Sequence, residues 1–163
     1  MVASVECFLL GAGARMKRAR RDVSMARRHI LYIERGKLPD RAAHQKAIDA
    51  TKIGVALDHD YAPFAVEGYL PCTFDGEDAG FDIRFSERDP AAALSPELAE
   101  AIGGRDAQLA IKWSSDPREK IAALAFSAAL AKDFDAVAHD PDKDKIIAAD
   151  TLLKQAKAAL DEL

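Results

Sequence analysis

Two runs of alternating apolar residues lie between residues 69 and 85 and predict a pair of strands. Each run places apolar side chains at every second position: Leu70, Cys72 and Phe74 in the first, and Phe81, Ile83 and Phe85 in the second. Because successive side chains of a strand point to opposite faces of a sheet, each trio is predicted to lie on one face, and both to face the same core. The six residues between the runs, "DGEDAG", are predicted to form the turn of a hairpin, with Gly76 and Gly80 available for positive φ.

A different spacing predicts a helix that begins near Met16 and includes Ile33. Its apolar stripe consists of Met16, Ala19, Val23, Ala26, Ile30 and Ile33. The steps of three and four residues are those of one helix face. Gly36 and Pro39 are predicted to end this helix, because glycine accepts the left-handed conformation and proline cannot continue a helix. Several arginines fall largely off the stripe and are predicted to form a basic face: Arg18, Arg20, Arg21, Arg27 and Arg28.

Capping residues predict the starts of the other helices. A capping side chain stands before an apolar stripe at Asp40, Ser95–Pro96 and Asp116–Pro117. Such side chains accept hydrogen bonds from the first N–H groups of a helix, and proline is tolerated at its first position. Asp140 and Pro141 repeat this arrangement before an apolar stripe from Ile146 to Leu163. The segment also resembles a calcium loop, but Lys145 occupies the position that needs glycine, so the helix start is the preferred interpretation.

Three further strands complete the pattern and set the fold class. They are predicted over residues 5–10, 107–113 and 135–140. The resulting order of strands and helices predicts a single α+β domain over residues 1–163, with a small mixed or antiparallel sheet and helices packed on one face. The strand, helix and strand from Leu109 to Val137 are predicted to form a crossover. Residues 1–15 are expected to be either the first strand or an extension of the domain.

The composition is typical of an ordinary globular protein. Apolar residues make up 49% of the chain and charged residues 31%, which does not suit a disordered chain. No apolar stretch approaches the ~20 residues that span a bilayer, so no membrane contact is expected. Cys7 and Cys72 lie far apart and form no CxxC pair, which favours a reducing compartment. We therefore expect a cytoplasmic protein, whose oligomeric state the sequence leaves open.

The net charge of −4 hides a strong division along the chain. Residues 1–54 carry 12 Lys and Arg against 5 Asp and Glu, whereas residues 55–163 carry 11 against 22. Opposite potentials speed the encounter of two proteins and select partners, so this division favours docking to a charged partner. The alternative is that the two halves neutralise each other within the fold.

The acidic turn of the predicted hairpin is the first candidate site. Its carboxylates are Asp75, Glu77, Asp78 and Asp82. Their spacing matches no metal-binding loop, so no metal is expected there. They are predicted to form an exposed negative surface, which either binds a basic partner or only keeps the turn soluble.

Two alternative sites come from other segments. Asp58, His59 and Asp60 place a histidine between carboxylates, a combination that can bind a metal or another ligand, or transfer protons in a small enzyme. The arginines of the predicted basic helix can contact the phosphates of nucleic acid. Against this, the chain is acidic overall, and no aromatic residue lies in "RMKRARRDVSMARR". No GxSxG motif or cysteine of catalytic type is present, so a non-enzymatic protein without a cofactor is expected.

Two segments carry a resemblance to a known class of proteins. They are "GYLPCTFDGEDAGFDIRF" and "AIKWSSDPREKIAALAFSAALAKDFDAVAHDP". Over residues 66–142 the chain resembles small bacterial immunity proteins, in which an "LP…G…GF" hairpin precedes a strand, an alanine-rich helix, a short strand and Asp-Pro. The resemblance implies a cytoplasmic, non-enzymatic protein that neutralises a bacterial toxin by covering its active site.

Overall fold

The computed structural model describes residues 27–66 and 68–163, which form nine strands and four α-helices. The strands are β1 (Arg27–Ile33), β2 (Val55–Leu57), β3 (Gly68–Leu70), β4 (Cys72–Phe74), β5 (Glu77–Asp78), β6 (Phe81–Glu87), β7 (Ala107–Trp113), β8 (Val137–Asp140) and β9 (Lys145–Ile147). The helices are α1 (Arg41–Ala50), α2 (Pro96–Ile102), α3 (Pro117–Asp133) and α4 (Ala149–Leu160). The strand predicted over residues 5–10 lies outside the described residues.

The described strands build two antiparallel sheets, one of six strands and one of three. The larger sheet has the order β3-β6-β7-β1-β8-β9, and the smaller has the order β2-β4-β5. Because β1 pairs antiparallel with both β7 and β8, these two strands run in the same direction with β1 between them. The predicted crossover is therefore present, and α3 carries the chain across β1. The predicted α+β class is confirmed, and the described sheets are antiparallel.

Helix α3 lies in the middle of the core, and its central part is buried on every side. Every side chain from Ile121 to Leu130 is buried. The helix contacts α1, α4 and strands of both sheets. The hydroxyl of Ser127 donates a hydrogen bond of 2.8 Å to the carbonyl oxygen of Ala123, which satisfies its polar group inside the core. One helix thus brings both sheets and two other helices into a single core.

The segment predicted as the end of a basic helix is instead strand β1. Ile30 and Ile33, which were assigned to the helical stripe, lie on this strand. β1 is an inner strand of the six-stranded sheet, with Leu31 in the main core and Tyr32 in a second cluster. Strands buried on both faces show continuous apolar runs instead of alternation, so the helical spacing there was accidental. The helix prediction is wrong over residues 27–33, and its earlier part lies outside the described residues.

The two predicted strands are present, but they do not form the predicted hairpin, because they are divided between two sheets. Five of the six apolar residues predicted to face a shared core are buried, and Phe85 is partly buried and packs against that core. The buried residues are Leu70, Cys72, Phe74, Phe81 and Ile83. The first run is divided at Pro71, so that β3 pairs with β6, whereas β4 pairs with β2 and β5. Proline has no N–H group for a strand ladder. The chain therefore passes from one sheet to the other at this residue.

A second, smaller hydrophobic cluster lies on the opposite face of the six-stranded sheet. Leu98 and Ile102 of α2 pack there against Tyr32. Tyr32 points away from the main core because it alternates with Leu31 and Ile33 along β1. The prediction placed the helices on one face, whereas the structure adds α2 on the other.

The predicted helix caps are present at three of the four positions. Asp40, Ser95 and Asp116 each accept a hydrogen bond from a backbone N–H in the first turn of α1, α2 and α3. Asp140 instead ends β8, and α4 begins only at Ala149. A carboxylate oxygen of Asp140 accepts hydrogen bonds from the next two N–H groups of the β8–β9 turn. An aspartate side chain can organise a turn in the same way that it caps a helix. The Asp-Pro pattern therefore does not distinguish between the two, and the predicted helix start is wrong.

Candidate functional site

The acidic turn is a two-residue turn between β4 and β5. Asp75 and Gly76 have φ angles of 50° and 85°. Two consecutive positive values are typical of the type I′ turn, for which Asp-Gly is a favoured pair. The turn is shorter than the predicted six residues because Glu77 and Asp78 pair with β4 as a strand of their own.

The backbone that presents these carboxylates is firmly held. Phe74 and Ala79, on either side of the turn and β5, are buried. The N–H of Asp75 donates a hydrogen bond of 3.0 Å to the carbonyl oxygen of Gly54. The side chains of Asp75, Glu77 and Asp78 are exposed. Their positions are therefore set before any partner binds.

Tyr69 lies near both the hairpin carboxylate Asp78 and the β6 carboxylate Asp82. This tyrosine lies on the edge strand β3, is 53% exposed and stands directly opposite Asp82 on β6. Partial burial, followed by the negative charges of Glu119 and Asp78, raises the pKa of the Tyr69 phenol. A charge must be near the phenol to act in this way, so Glu119 and Asp78 lie in the neighbourhood of Tyr69. Tyr69 and the predicted carboxylates Asp75, Glu77, Asp78 and Asp82 are hereafter the acidic face.

Positive groups neutralise the acidic face only in part. Glu77 accepts from the guanidinium of Arg118 at 2.7 Å, and Asp82 is the cross-strand neighbour of Lys112. Asp75 and Asp78 form no ion pair with the described part of the chain. The hairpin end therefore keeps a negative potential.

The Asp58-His59-Asp60 loop borders the same hairpin. Asp58 and His59 line a groove of about 210 Å³ together with Arg41, Cys72 and Asp78. The guanidinium of Arg41 donates to the carbonyl oxygens of Leu57 and Asp58 at 2.9 and 2.8 Å. Burial raises the pKa of the Cys72 thiol to about 12, so this thiol is not a nucleophile near neutral pH. Across residues 27–66 and 68–163, no group of three or more His, Cys, Asp or Glu side chains is placed to hold a metal ion.

The arginines proposed to contact nucleic acid are divided by the fold. Arg18, Arg20 and Arg21 lie outside the described residues, whereas Arg27 and Arg28 lie on strand β1. The guanidinium of Arg28 binds the carboxylate of Asp142 at 2.8 Å. Arg27 and Arg28 therefore do not belong to a basic helix face, as had been predicted for all five arginines.

A cavity of about 440 Å³ lies where β1 begins and β7 ends. His29 of β1 and Trp113 of β7 line it and are 6% and 8% exposed. Their rings meet edge to face, with centroids 4.8 Å apart. This pair was not predicted from the sequence, because it depends on the register that sets Arg27 opposite Trp113 and brings His29 diagonal to the indole. A lone histidine and a lone tryptophan carry no spacing that would have revealed it.

Comparison of the chain with models of protein families, with curated proteins and with solved structures found no match. No helix within the described ranges combines the length and the apolar character needed to cross a membrane. The function therefore has to be inferred from the chemistry of these surfaces.

Proposed function

We propose that this protein is a non-enzymatic binding module that uses its acidic face to bind a basic protein. The observation that carries the proposal is Tyr69, which is 53% exposed among carboxylates. Tyrosine is enriched in protein interfaces because its ring buries a large apolar area while its hydroxyl keeps a polar contact. The surrounding negative charge attracts and orients a basic partner.

The fixed backbone of the hairpin supports the same proposal. A surface that is already ordered loses less conformational entropy when it binds. The type I′ turn, the buried Phe74 and Ala79, and the hydrogen bond from Asp75 to Gly54 all order this surface. The acidic face thus combines a large aromatic contact, a net negative potential and a rigid support.

The specific partner that we propose is a bacterial toxin with a basic active-site surface. The support is the resemblance of residues 66–142 to bacterial immunity proteins, a range that contains the whole acidic face. A protein bound through this face neutralises its partner by covering it. This mode of action requires no catalytic residue in the present chain.

Co-expression with the product of the neighbouring gene tests the proposal. The full chain is expected to protect the cells and to co-purify with that product. Tyr69→Ala is expected to weaken the affinity about 10-fold or more, since truncating a central tyrosine commonly costs this much. The matched control is Ile146→Ala, because Ile146 is also a large exposed apolar residue, at 45%, on the opposite edge strand β9.

Charge substitutions provide a second measurement on the same complex. Asp75→Asn with Asp78→Asn is expected to slow association at low salt, and the difference is expected to shrink as salt rises. Glu100→Gln removes an exposed carboxylate from α2 and serves as the control. A complex that is equally sensitive to the variants and to their controls would show that the acidic face is not the interface. A neighbouring gene product that is neither bound nor neutralised would remove the toxin proposal.

A further inference from the structure

The first turn of α3 places one basic side chain on the acidic face. The guanidinium of Arg118 lies 2.7 Å from the carboxylate of Glu77 on β5. Partial burial, and then the negative charge of Glu119, raise the pKa of the Tyr69 phenol, so Glu119 lies in the neighbourhood of that ring. The start of α3 therefore borders the acidic face, where Arg118 neutralises Glu77 and Glu119 adds a further carboxylate.

The position of Arg118 within its helix is an unfavourable one for a cation. Arg118 is the second residue of α3, after Pro117 and the capping residue Asp116. The partial positive charge at the N-terminus of a helix attracts anions and repels cations. The helix dipole therefore does not favour an arginine at this position, whereas the contact with Glu77 does.

The ion pair between Arg118 and Glu77 is a weak one. The two side chains are 40% and 64% exposed. Water and salt screen the attraction of such a pair, which shifts an equilibrium by only about 2- to 5-fold. A protein that docks over Tyr69 excludes water from the neighbouring carboxylates, and charge-assisted contacts are stronger where water is excluded. A basic side chain of the docking protein can therefore replace Arg118 on Glu77.

We propose that Arg118 occupies Glu77 only in the free protein, and that an arginine of the partner protein replaces it when the complex forms. This inference rests on the proposed function and adds the chemistry of the contact. An arginine suits the position better than a lysine, because its planar guanidinium matches a carboxylate and can also stack on the ring of Tyr69. A basic surface without such a residue leaves Arg118 on Glu77 and gains less from the acidic face.

NMR titration of the isotope-labelled full chain with a synthetic hexa-arginine peptide tests the inference without the natural partner. The peptide is expected to shift the amide signals of Tyr69, Glu77 and Asp78. Arg118→Gln is expected to bind the peptide about 2- to 5-fold more tightly, since Glu77 then has no competing cation. The side chain of Arg118 is partly exposed, so this variant is expected to fold.

Lys112→Gln is the matched control, because Lys112 is an exposed cation that neighbours Asp82 on the same face. Its removal makes the acidic face more negative but leaves Arg118 in place on Glu77. The gain in affinity is therefore expected to be larger in Arg118→Gln than in Lys112→Gln. This excess is expected to disappear when each variant is combined with Glu77→Gln.

The outcomes of the titration separate this inference from the proposed function. Equal gains in Arg118→Gln and Lys112→Gln, or an excess that persists with Glu77→Gln, would overturn the replacement of Arg118 while the acidic face stays the binding surface. A peptide that leaves the signals of the acidic face unchanged would contradict the proposed function, and this inference with it.

Discussion

His44 is a histidine enclosed in an aromatic core. It is 0% exposed, and its ring centroid lies 4.2 Å from that of Phe126. Its Nε2 lies 3.1 Å from the carbonyl oxygen of Phe126. A carbonyl can only accept, so Nε2 carries the proton, and in the neutral ring Nδ1 is bare. Burial lowers the pKa of His44 from 6.5 to about 4, because a charged imidazole would lose its hydration in this core.

The buried histidines predict a loss of stability in mild acid. His44 and His29 have folded pKa values of about 4, below the ordinary 6.5 of an unfolded chain. Between these values the unfolded state binds more protons than the folded state. Stability is therefore complete above about pH 6.5 and falls towards pH 4 by up to about 1.4 kcal/mol per pH unit for each histidine. Urea unfolding at a series of pH values measures this slope.

Substitution assigns the pH effect to a particular residue. His44→Phe is expected to make the slope between pH 6.5 and 4 shallower, because one titrating group is removed from the core. His59→Gln serves as the control, since it removes an exposed histidine instead of a buried one. An unchanged slope in His44→Phe would show that His44 does not titrate on unfolding.

Gly80 leaves the space that the phenol ring of Tyr69 occupies. A Cβ atom at position 80 would collide with the phenol ring of Tyr69 and would lie 2.7 Å from the carbonyl oxygen of Leu70. The ring can move, but the carbonyl belongs to the backbone of the β3 edge and cannot easily do so. The small size of Gly80, and not a positive φ, is therefore what this position requires.

We expect Gly80→Ala to destabilise the fold by about 1–3 kcal/mol, the usual cost of crowding a packed site. Gly104→Ala is the matched control, because a Cβ atom there meets nothing within 4 Å. Its effect is expected to stay within about 0.5 kcal/mol, as for most surface substitutions. Chemical unfolding of both variants measures the difference. Equal stabilities would indicate that the β3 edge adjusts to the added methyl group.

At the scale of elements, the β4–β5 hairpin depends on the conformation of its turn. Gly76 has a φ of 85° and has open space where a Cβ atom would be added. Any loss in Gly76→Ala is therefore conformational, and about 1–2 kcal/mol is expected for an L-residue in the left-handed region. Gly36→Ala, which also has open space but no positive φ, is the control. A loss of stability as small as that of the control would contradict the type I′ assignment, and urea unfolding provides the comparison.

Strand β1 shows how tertiary packing can override a helical pattern. Ile30 and Ile33 fit the spacing of the preceding apolar stripe. In the sheet they lie on opposite faces, with Ile30 partly buried and Ile33 buried, and Leu31 and Tyr32 between them are buried. A continuous apolar run is compatible with an inner strand and with a buried helix, and periodicity alone does not separate the two. Only the pairing with β7 and β8 decides between them.

At the scale of the whole molecule, contacts within the fold cancel part of the charge division along the sequence. Arg28, Arg35 and Lys37 of the basic half pair with Asp142, Glu87 and Asp135 of the acidic half. These side chains are largely exposed, so water and salt screen their attraction and it contributes little to stability. The shared core of α3 and both sheets holds the two halves together instead. The acidic face is the place where part of the negative charge of residues 55–163 stays together on the surface.

The candidate surfaces were predictable to different degrees. The carboxylates of the acidic face follow directly from their place in the turn between two core-facing runs. Tyr69 was not predicted, although it has the opposite parity to Leu70 and Cys72 and therefore had to point outwards. The His29–Trp113 pair joins residues that are distant in sequence, so nothing in the local pattern could indicate it.

The sequence by itself determined the α+β class, the core-facing alternation around the acidic turn and three helix caps, because each depends on the spacing of neighbouring residues. The tertiary structure alone decided that residues 27–33 form an inner strand, that Pro71 divides the first run between two sheets, and that Asp140 starts a turn. The cavity beside Trp113 likewise exists only in the tertiary structure, because distant segments line it. These features depend on strand register and on packing between distant segments, which local propensity and periodicity do not encode.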